Sequence, residues 1–282
     1  MQFLEYLKAI FLGIVEGITE WLPVSSTGHM ILVDEFIRLD VSDAFKDLFL
    51  VVIQLGAILA VAVLFFHKLN PFSRKKTSEE KRSTLSLWGK VIVGVIPAGI
   101  LGVLLDDILE EHLMNYVTVC ITLVVYGVLF IIIEKVREKK TAQGIPYRVE
   151  NVEDLTYKDA LIIGAYQTLS LIPGTSRSGS TILGGMLSGV SRTASAEFSF
   201  FMALPIMAGA SLLKIAKFVI EGNTATLDEV FLLLVGLVVA FAVSLVCIRF
   251  LMQFVKRHSF APFGVYRIAL GVIVLLYFLL TK

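Results

Sequence analysis

The stretch Gly13-Ile-Val-Glu16-Gly-Ile-Thr-Glu20-Trp-Leu-Pro23-Val-Ser25-Ser26-Thr27-Gly28-His29 interrupts an apolar part of the chain. A second stretch follows the same order and reads Gly164-Ala-Tyr-Gln167-Thr-Leu-Ser-Leu-Ile-Pro173-Gly174-Thr175-Ser176-Arg177-Ser178-Gly179-Ser180-Thr181. Each has a glycine with an acid or amide three residues later, and then a proline, a run of Ser and Thr, and a glycine. This correspondence predicts an internal repeat.

The composition is that of a membrane protein. Of the 282 residues, 56% are hydrophobic and 17% are charged, and the mean hydropathy is +0.83. Soluble domains are usually about 45–50% apolar and about 25% charged. These values exclude a soluble enzyme, a disordered protein and a secreted disulfide scaffold. The net charge of +1 gives no reason to expect nucleic acid as a partner.

Six further segments are apolar enough to cross the roughly 30 Å of membrane hydrocarbon. The loops at 67–90 and 134–159 contain seven and six Lys or Arg residues, whereas 106–115 and 221–229 contain none. Because positive loops stay in the cytoplasm, this asymmetry predicts that the acidic loops face outward. The predicted spans are 48–66, 91–105, 116–133, 197–217, 230–250 and 263–281.

The two interrupted stretches do not fit as simple spans, and we interpret 9–33 and 160–190 as re-entrant helical hairpins. Non-helical backbone at membrane depth survives only where it is buried in protein or lines a polar cavity. Each half is therefore one hairpin followed by three spans, and this odd number inverts the second half. The prediction is an all-α polytopic protein with one domain, 1–282, and inverted repeats of about 1–135 and 158–282.

A cytoplasmic connection, 136–157, would join these repeats, and the hairpin tips, 22–29 and 173–181, should face each other. In the first tip, Glu16 and Glu20 are four residues apart and so share a helix face. Two acids in a membrane favour a divalent-cation site or a general acid–base pair. The alternatives are an ion pair with Arg177 or exposure to interfacial water.

The same tip offers hydroxyls and an imidazole at a helix start, namely Ser25, Ser26, Thr27 and His29. Ser and Thr at this position are ordinarily helix caps. A hydroxyl becomes a useful nucleophile, however, when a base takes its proton, and Glu16, Glu20 and His29 are the candidate bases. His29 is alternatively the nucleophile itself or the acid that protonates the leaving group.

The second tip has the composition of an oxyanion cradle. Glycines allow close approach of the backbone, N–H groups at a helix start face an anion, and Arg177 can clamp a phosphate through two hydrogen bonds. The alternative is an arginine that extends to the membrane surface. The candidate substrate-binding residues are Ser25, Thr27, Gly174, Thr175, Ser176, Ser178 and Thr181.

These groups suit hydrolysis of a phosphate ester or anhydride on a lipid. A lipid or anion transporter is the alternative, since broken helices in inverted repeats also occur in transporters. A lipid phosphatase of the acid-phosphatase type would need a second histidine, followed by an aspartate, after its Ser-Arg. The only histidine after Arg177 is His258, and no aspartate follows it.

The motif from Glu16 to His29, together with that from Pro173 to Thr181, closely resembles the bacterial undecaprenyl-diphosphate phosphatase family, the bacitracin-resistance proteins. The resemblance extends over essentially the whole chain in length and hydropathy. It implies an inverted-repeat bundle that hydrolyses the C55 isoprenoid diphosphate of cell-wall synthesis to the monophosphate carrier and phosphate. The family motifs carry over to Glu16, Glu20, Ser25, Ser26, Thr27, His29, Ser176, Arg177 and Thr181.

The resemblance also implies a divalent cation, magnesium or calcium, for which Glu16 and Glu20 are the candidate ligands. We favour Ser26 as the nucleophile, with a carboxylate as base and His29 assisting, although the motif leaves Ser26 and His29 open. The expected partners are the isoprenoid diphosphate and membrane lipids, and a homodimer is left open. The expected location is the bacterial plasma (inner) membrane, with a site that opens outward.

Overall fold

The chain folds into a bundle of α-helices in a computed structural model that describes residues 2–113 and 115–281. Within these ranges no strand occurs, apart from an isolated bridge between Val149 and Val190. The helices before the connection are α1 (Gln2–Thr19), α2 (Ser26–Phe36), α3 (Asp43–Leu64), α4 (Phe66–Leu69), α5 (Ser78–Leu113) and α6 (Tyr116–Ala142). Those after it are α7 (Tyr157–Gln167), α8 (Arg177–Leu187), α9 (Arg192–Ile220), α10 (Leu227–Arg257) and α11 (Ala261–Thr281).

Six of these helices are long and apolar enough to span a membrane, which confirms the six predicted spans. They are Asp43–Leu64, Ser78–Leu105, Tyr116–Ala142, Arg192–Ile220, Leu227–Arg257 and Ala261–Thr281. The protein is therefore an all-α, multi-pass membrane protein.

The predicted limits of the second span were too narrow. Helix α5 begins at Ser78, continues through Pro97 and ends at Leu113, so most of the expected outer loop 106–115 is helical. Membrane helices tolerate an internal proline because neighbouring groups satisfy the freed carbonyl. The side chains of Asp106, Asp107 and Glu110, which support the outward assignment, lie outside the described part of the chain.

The two interrupted stretches form broken helical pairs, as the sequence predicts. Helix α1 ends at Thr19 and α2 begins at Ser26, whereas α7 ends at Gln167 and α8 begins at Arg177. A short 3-10 turn, Thr168–Leu171, follows α7. In each pair the break falls where proline and hydroxyl residues replace the apolar helix pattern.

Small residues let the helices approach closely, as is usual in membranes. Gly13 of α1 lies against Gly236 of α10, and Gly164 of α7 lies against Gly94 of α5, so a Cβ at either position would clash with backbone. Gly13 and Gly164 are equivalent positions of the proposed repeat. The inverted relation of the two halves, and their boundaries, stay a prediction.

Ion pairs of two buried carboxylates stabilise the end of the bundle where the connection 143–156 packs, which we call the linker end. Glu134 of α6 is buried and accepts hydrogen bonds from the Arg192 side chain of α9 and from the N–H of Phe260, the latter at 2.7 Å. Asp159 pairs with Arg148 of the connection and caps α7 through Thr156. These contacts tie three parts of the chain that are distant in sequence.

Replacing Arg192 by alanine should destabilise the protein strongly, since it leaves the Glu134 carboxylate buried without its cation. Breaking a buried pair from one side typically costs ~3–5 kcal/mol. The measurement is the midpoint of thermal unfolding in detergent. Lys214→Ala is the matched control, because its ion pair with Asp47 is largely exposed and worth at most about 1 kcal/mol. Equal shifts in the two variants would contradict this assignment.

The short helix α4 contributes a further interaction at the linker end. The Lys68 ammonium lies 2.7 Å from Glu153 and 2.8 Å from Glu197. Although burial by itself lowers the pKa of Lys68, the hydrogen bonds to these two carboxylates hold it above its ordinary value. The folded protein therefore binds this proton more tightly than the unfolded chain does.

The contribution of Lys68 to stability should consequently be complete below its ordinary pKa of about 10.4 and disappear as the pH rises through the raised value. We expect the difference in unfolding midpoint between the native protein and Lys68→Gln to be constant at neutral pH and to shrink in strong alkali. A difference that does not change with pH would rule out this role for the ammonium group.

Candidate active site

The two tips share an uncommon backbone conformation. Ser25 and Ser176 both have φ 73°, the left-handed region that few side chains adopt, and both cap the helix that follows. The Ser25 hydroxyl accepts the N–H of Gly28 at 3.2 Å, and the Ser176 hydroxyl accepts that of Gly179 at 3.1 Å. Each cap thus satisfies one of the N–H groups at the start of α2 or α8 that have no partner within the helix.

A chain of hydrogen bonds connects a hydroxyl of the first tip to the arginine of the second. The Ser26 hydroxyl donates to Glu20 Oε2 at 2.7 Å. Glu20 Oε1 accepts from Arg177 Nη2 at 2.9 Å and from Arg177 Nε at 3.3 Å. Glu20 thus forms the ion pair with Arg177 that the sequence left open as an alternative role for the two acids. The same carboxylate is hydrogen-bonded to Ser26, the candidate nucleophile.

Arg177 is held from its other side by α9. Its Nη1 donates to the carbonyl of Ser199 at 2.8 Å, and the Thr181 hydroxyl donates to the Ser199 hydroxyl at 2.7 Å. The guanidinium also lies 5.9 Å from the ring of Trp21, which is fully buried. Together with the pair to Glu20, these contacts place the guanidinium between the two tips and α9.

The tips also contact each other directly, as predicted. The Ser178 hydroxyl donates to the carbonyls of Glu20 and Leu22 at 3.1 and 3.3 Å. Three of the predicted substrate-binding residues therefore use their hydroxyls in hydrogen bonds within the protein, namely Ser25, Ser178 and Thr181.

His29 occupies a different side of the first tip. Its Nδ1 lies 2.7 Å from the carbonyl of Ser25 and its Nε2 lies 2.7 Å from the hydroxyl of Tyr266, whose ring is parallel to the imidazole with centroids 5.7 Å apart. Because a carbonyl can only accept, Nδ1 carries a proton and, in the neutral ring, Nε2 accepts from Tyr266. Both nitrogens are therefore engaged away from Ser26.

A cavity of about 280 Å³ lies between the tips. Six of the predicted site residues line it, and beside them lie three polar side chains and an apolar wall. The predicted residues are Glu20, Ser26, Thr27, Gly174, Ser176 and Arg177; the others are Gln54, Gln167, Ser170, Ala98, Leu171, Ile206, Met207 and Ala210. A cavity that is polar on one side and apolar on the other suits a phosphate head with a hydrocarbon tail.

Gly174 is required by its position in the second tip. It has φ 83°, and a Cβ would clash with Thr122 and with the backbone of Val119 on α6. The Thr122 hydroxyl donates to the carbonyl of Pro173 at 2.7 Å. The tip is therefore seated on α6 through backbone contacts that tolerate no side chain.

Glu16 lies one helical turn before Glu20 and is 1% exposed. Its Oε1 has no hydrogen-bond partner. Among the described residues, no group of three or more His, Cys, Asp or Glu side chains forms a metal cluster. Two carboxylates do fit Mg²⁺, which commonly uses one or two protein carboxylates and completes its shell with substrate phosphates and water.

Two residues of α11 belong to the site although the sequence analysis overlooked them, namely Tyr266, which bonds to His29, and Arg267. Arg267 is fully buried and donates to backbone carbonyls of both tips. The signal was present in the sequence, since Arg267 is the only charged residue in 261–281. An ionisable residue within a membrane span is a functional candidate.

Comparison with known proteins gives a family for this arrangement. The family model described as "Bacitracin resistance protein BacA" matches residues 9–273. This chain belongs to the BacA family. A relative from Enterococcus faecalis, named undecaprenyl-diphosphatase, is 56% identical over 279 residues, which are 99% of each chain.

Other members of the BacA family give the same result. A protein from Acetivibrio thermocellus is 56% identical over 99% of this chain and 100% of its own, and one from Desulfitobacterium hafniense is 54% identical over 99% and 98%. Both are named undecaprenyl-diphosphatase. These names favour a phosphatase over a transporter, and the family match removes the acid-phosphatase type of enzyme from consideration.

Proposed function

We propose that this chain hydrolyses undecaprenyl diphosphate to undecaprenyl phosphate and inorganic phosphate, and so recycles the carrier lipid of cell-wall synthesis and confers bacitracin resistance. The names of its relatives support the substrate, and one observation carries the chemistry. That observation is the chain from the Ser26 hydroxyl through Glu20 to Arg177. A nucleophile bonded to a base, which a third group orients, is the usual arrangement for covalent catalysis.

In the proposed first step, Ser26 Oγ attacks the terminal phosphorus of the diphosphate, and its proton passes to Glu20. The bond between that phosphorus and the bridging oxygen breaks, and undecaprenyl phosphate leaves. Glu20 gives this proton to the departing monophosphate and is a carboxylate again. Water then attacks the phosphoserine, its proton passes to Glu20 and from there to Ser26 Oγ, and inorganic phosphate leaves. Both steps use the same carboxylate because Glu20 Oε2 lies 2.7 Å from Ser26 Oγ.

Arg177 has two successive partners in this mechanism. Its guanidinium is paired with Glu20 in the structure. The diphosphate competes for the same donors, because phosphate oxygens match the planar fork of an arginine. When Arg177 turns to the phosphate, Glu20 loses its counter-ion and becomes available for the proton of Ser26. Substrate binding thereby prepares the base.

We assign His29 to support rather than to attack. Its hydrogen bond to the Ser25 carbonyl fixes Ser25, which precedes Ser26 in the chain. Ser25 is the residue with the left-handed backbone. Attack by Nε2 would first require the bond to Tyr266 to break. The contacts therefore favour Ser26 among the two candidate nucleophiles that the sequence left open.

A divalent cation, magnesium or calcium, completes the proposal, with Glu16 and Glu20 as the residues that would hold it. When bound, it would neutralise charge on the diphosphate. The carboxylates serve the cation as oxygen ligands, and the unpartnered oxygen of the buried Glu16 side chain supports this assignment.

We place the protein in the bacterial plasma membrane with its site open to the outer side. The support is the charge pattern, since the basic segments belong to the linker end and the acidic connection 221–229 belongs to the other end. A substrate released on the outside would then reach the tips without crossing the membrane.

Phosphate release by the purified protein tests the proposed function. In detergent, with magnesium or calcium and no membrane gradient, the protein should release one phosphate from each undecaprenyl diphosphate and leave the monophosphate lipid. If it releases no phosphate but proteoliposomes move the lipid or an anion across the bilayer, the transporter alternative replaces the hydrolase.

A further inference from the structure

Arg267 is a buried cation whose role the mechanism above leaves open. It lies on the membrane-spanning helix α11 and is 0% exposed. Among the side chains that the structure describes, no carboxylate forms an ion pair with it, in contrast to Arg177 with Glu20 and Arg192 with Glu134. A charge at membrane depth is costly, and such a residue needs compensation from its surroundings.

That compensation comes from backbone carbonyls of both hairpin tips. Arg267 Nη1 donates to Pro23 at 3.1 Å, and Nη2 donates to Gly174 at 2.8 Å and to Thr175 at 3.1 Å. The ring of Tyr126 lies 5.5 Å from the guanidinium and adds a cation–π contact. One planar side chain therefore joins two loops that are separated by most of the chain.

These bonds determine the direction of N–H groups in the second tip. In a trans peptide unit the C=O and N–H point in opposite directions. Because the Thr175 carbonyl is directed at Arg267, the N–H of Ser176 points away from it. Ser176 lines the cavity and has the left-handed backbone that needs support from its surroundings.

Arg267 also brings positive charge close to the cavity wall. It contacts the carbonyl of Gly174, which is itself a lining residue. The diphosphate of the proposed substrate carries several negative charges, and the low dielectric of the site preserves their attraction to a buried cation. The diphosphate would thus supply the negative charge that no carboxylate of the described residues brings to this guanidinium.

We propose that Arg267 is a positioning residue that sets the register of the two tips, directs the Ser176 N–H toward the phosphate and draws the diphosphate to the tips by its charge. The proposal rests on the proposed hydrolysis of a lipid diphosphate. It assigns to α11 a role in catalysis without contact between Arg267 and the reacting atoms.

Two substitutions separate the geometry from the charge. Arg267→Lys keeps the charge but cannot hold three carbonyls in one plane, so we expect kcat to fall by about 10²-fold, the usual effect of a small misplacement, with little change in KM. Arg267→Met removes the charge as well, so KM should also rise. Arg257→Lys, at the exposed end of α10, is the control and should behave as the native protein does.

Hydrogen exchange gives a readout that is independent of activity. In Arg267→Lys the peptide covering 172–180 should exchange faster, while peptides from α9 and α10 keep native rates. If Arg267→Met does not fold, Arg267→Lys decides the matter alone. Native kcat and native exchange in Arg267→Lys would overturn the proposal, and so would a loss of activity that only follows a loss of folded protein. An inactive native protein would instead refute the proposed function.

Discussion

Ser26→Ala should lower phosphate release by about 10³-fold or more, because it removes the only atom that the proposed mechanism makes covalent. The fold should survive, since the Ser26 hydroxyl forms one hydrogen bond, to Glu20, and the serine is only half-buried. Arg177 still neutralises the Glu20 carboxylate in this variant. The measurement is kcat/KM for undecaprenyl diphosphate in detergent, with folding checked by size-exclusion chromatography.

Ser188→Ala provides the matched control for this loss. It removes a hydroxyl from the far end of α8, and among the described residues this hydroxyl bonds only to the carbonyl of Gly184, at 2.8 Å. We expect native activity in this variant. If Ser26→Ala keeps most of its activity, Ser26 is not the nucleophile. The same assay on His29→Gln would then show whether the imidazole is the nucleophile.

Glu20→Gln should lower kcat by about 10²–10⁴-fold, the usual contribution of a general base. The amide has nearly the same shape, and its oxygen can still accept from Arg177, so the tip should remain in place. It cannot take the proton of Ser26. The loss should therefore also appear in the rate constant of a single turnover, which product release does not limit.

Glu79→Gln, an exposed acid in the first turn of α5, is the control and should retain native activity. Native kcat in Glu20→Gln would contradict the assignment of Glu20 as the base. In that case Glu16 is the next carboxylate to test, because it lies in the last part of α1, one turn before Glu20, which directly follows that helix.

Hydropathy and local residue patterns were sufficient to predict the spans and the breaks. A run of apolar residues must cross the membrane, and a proline with hydroxyls must interrupt a helix, wherever the rest of the chain lies. The pairing of the tips followed from the repeat, and Glu20 and Arg177 do meet. These features depend on sequence that is local, or that is repeated within the chain.

The remaining contacts depend on the packing of distant helices, which no local pattern specifies. His29 meets Tyr266 across 237 positions, and Arg267 meets Pro23 across 244. The sequence also could not show which acid bonds to Ser26, since Glu16 and Glu20 share one helix face. Likewise, the continuation of α5 past Pro97 depends on its neighbours, because a proline can end a helix or merely bend it.

Trapping of a covalent intermediate tests the proposed mechanism most directly. The purified protein is mixed with undecaprenyl diphosphate labelled in its terminal phosphate, quenched in acid within one turnover, digested and mapped by mass spectrometry. Phosphoserine survives acid whereas phosphohistidine does not, so the quench distinguishes the two candidates. The proposal predicts an acid-stable phosphate on Ser26 that Ser26→Ala abolishes. Phosphate on His29 in a parallel alkaline quench, which preserves phosphohistidine, or turnover without any covalent phosphate in either quench, would contradict it.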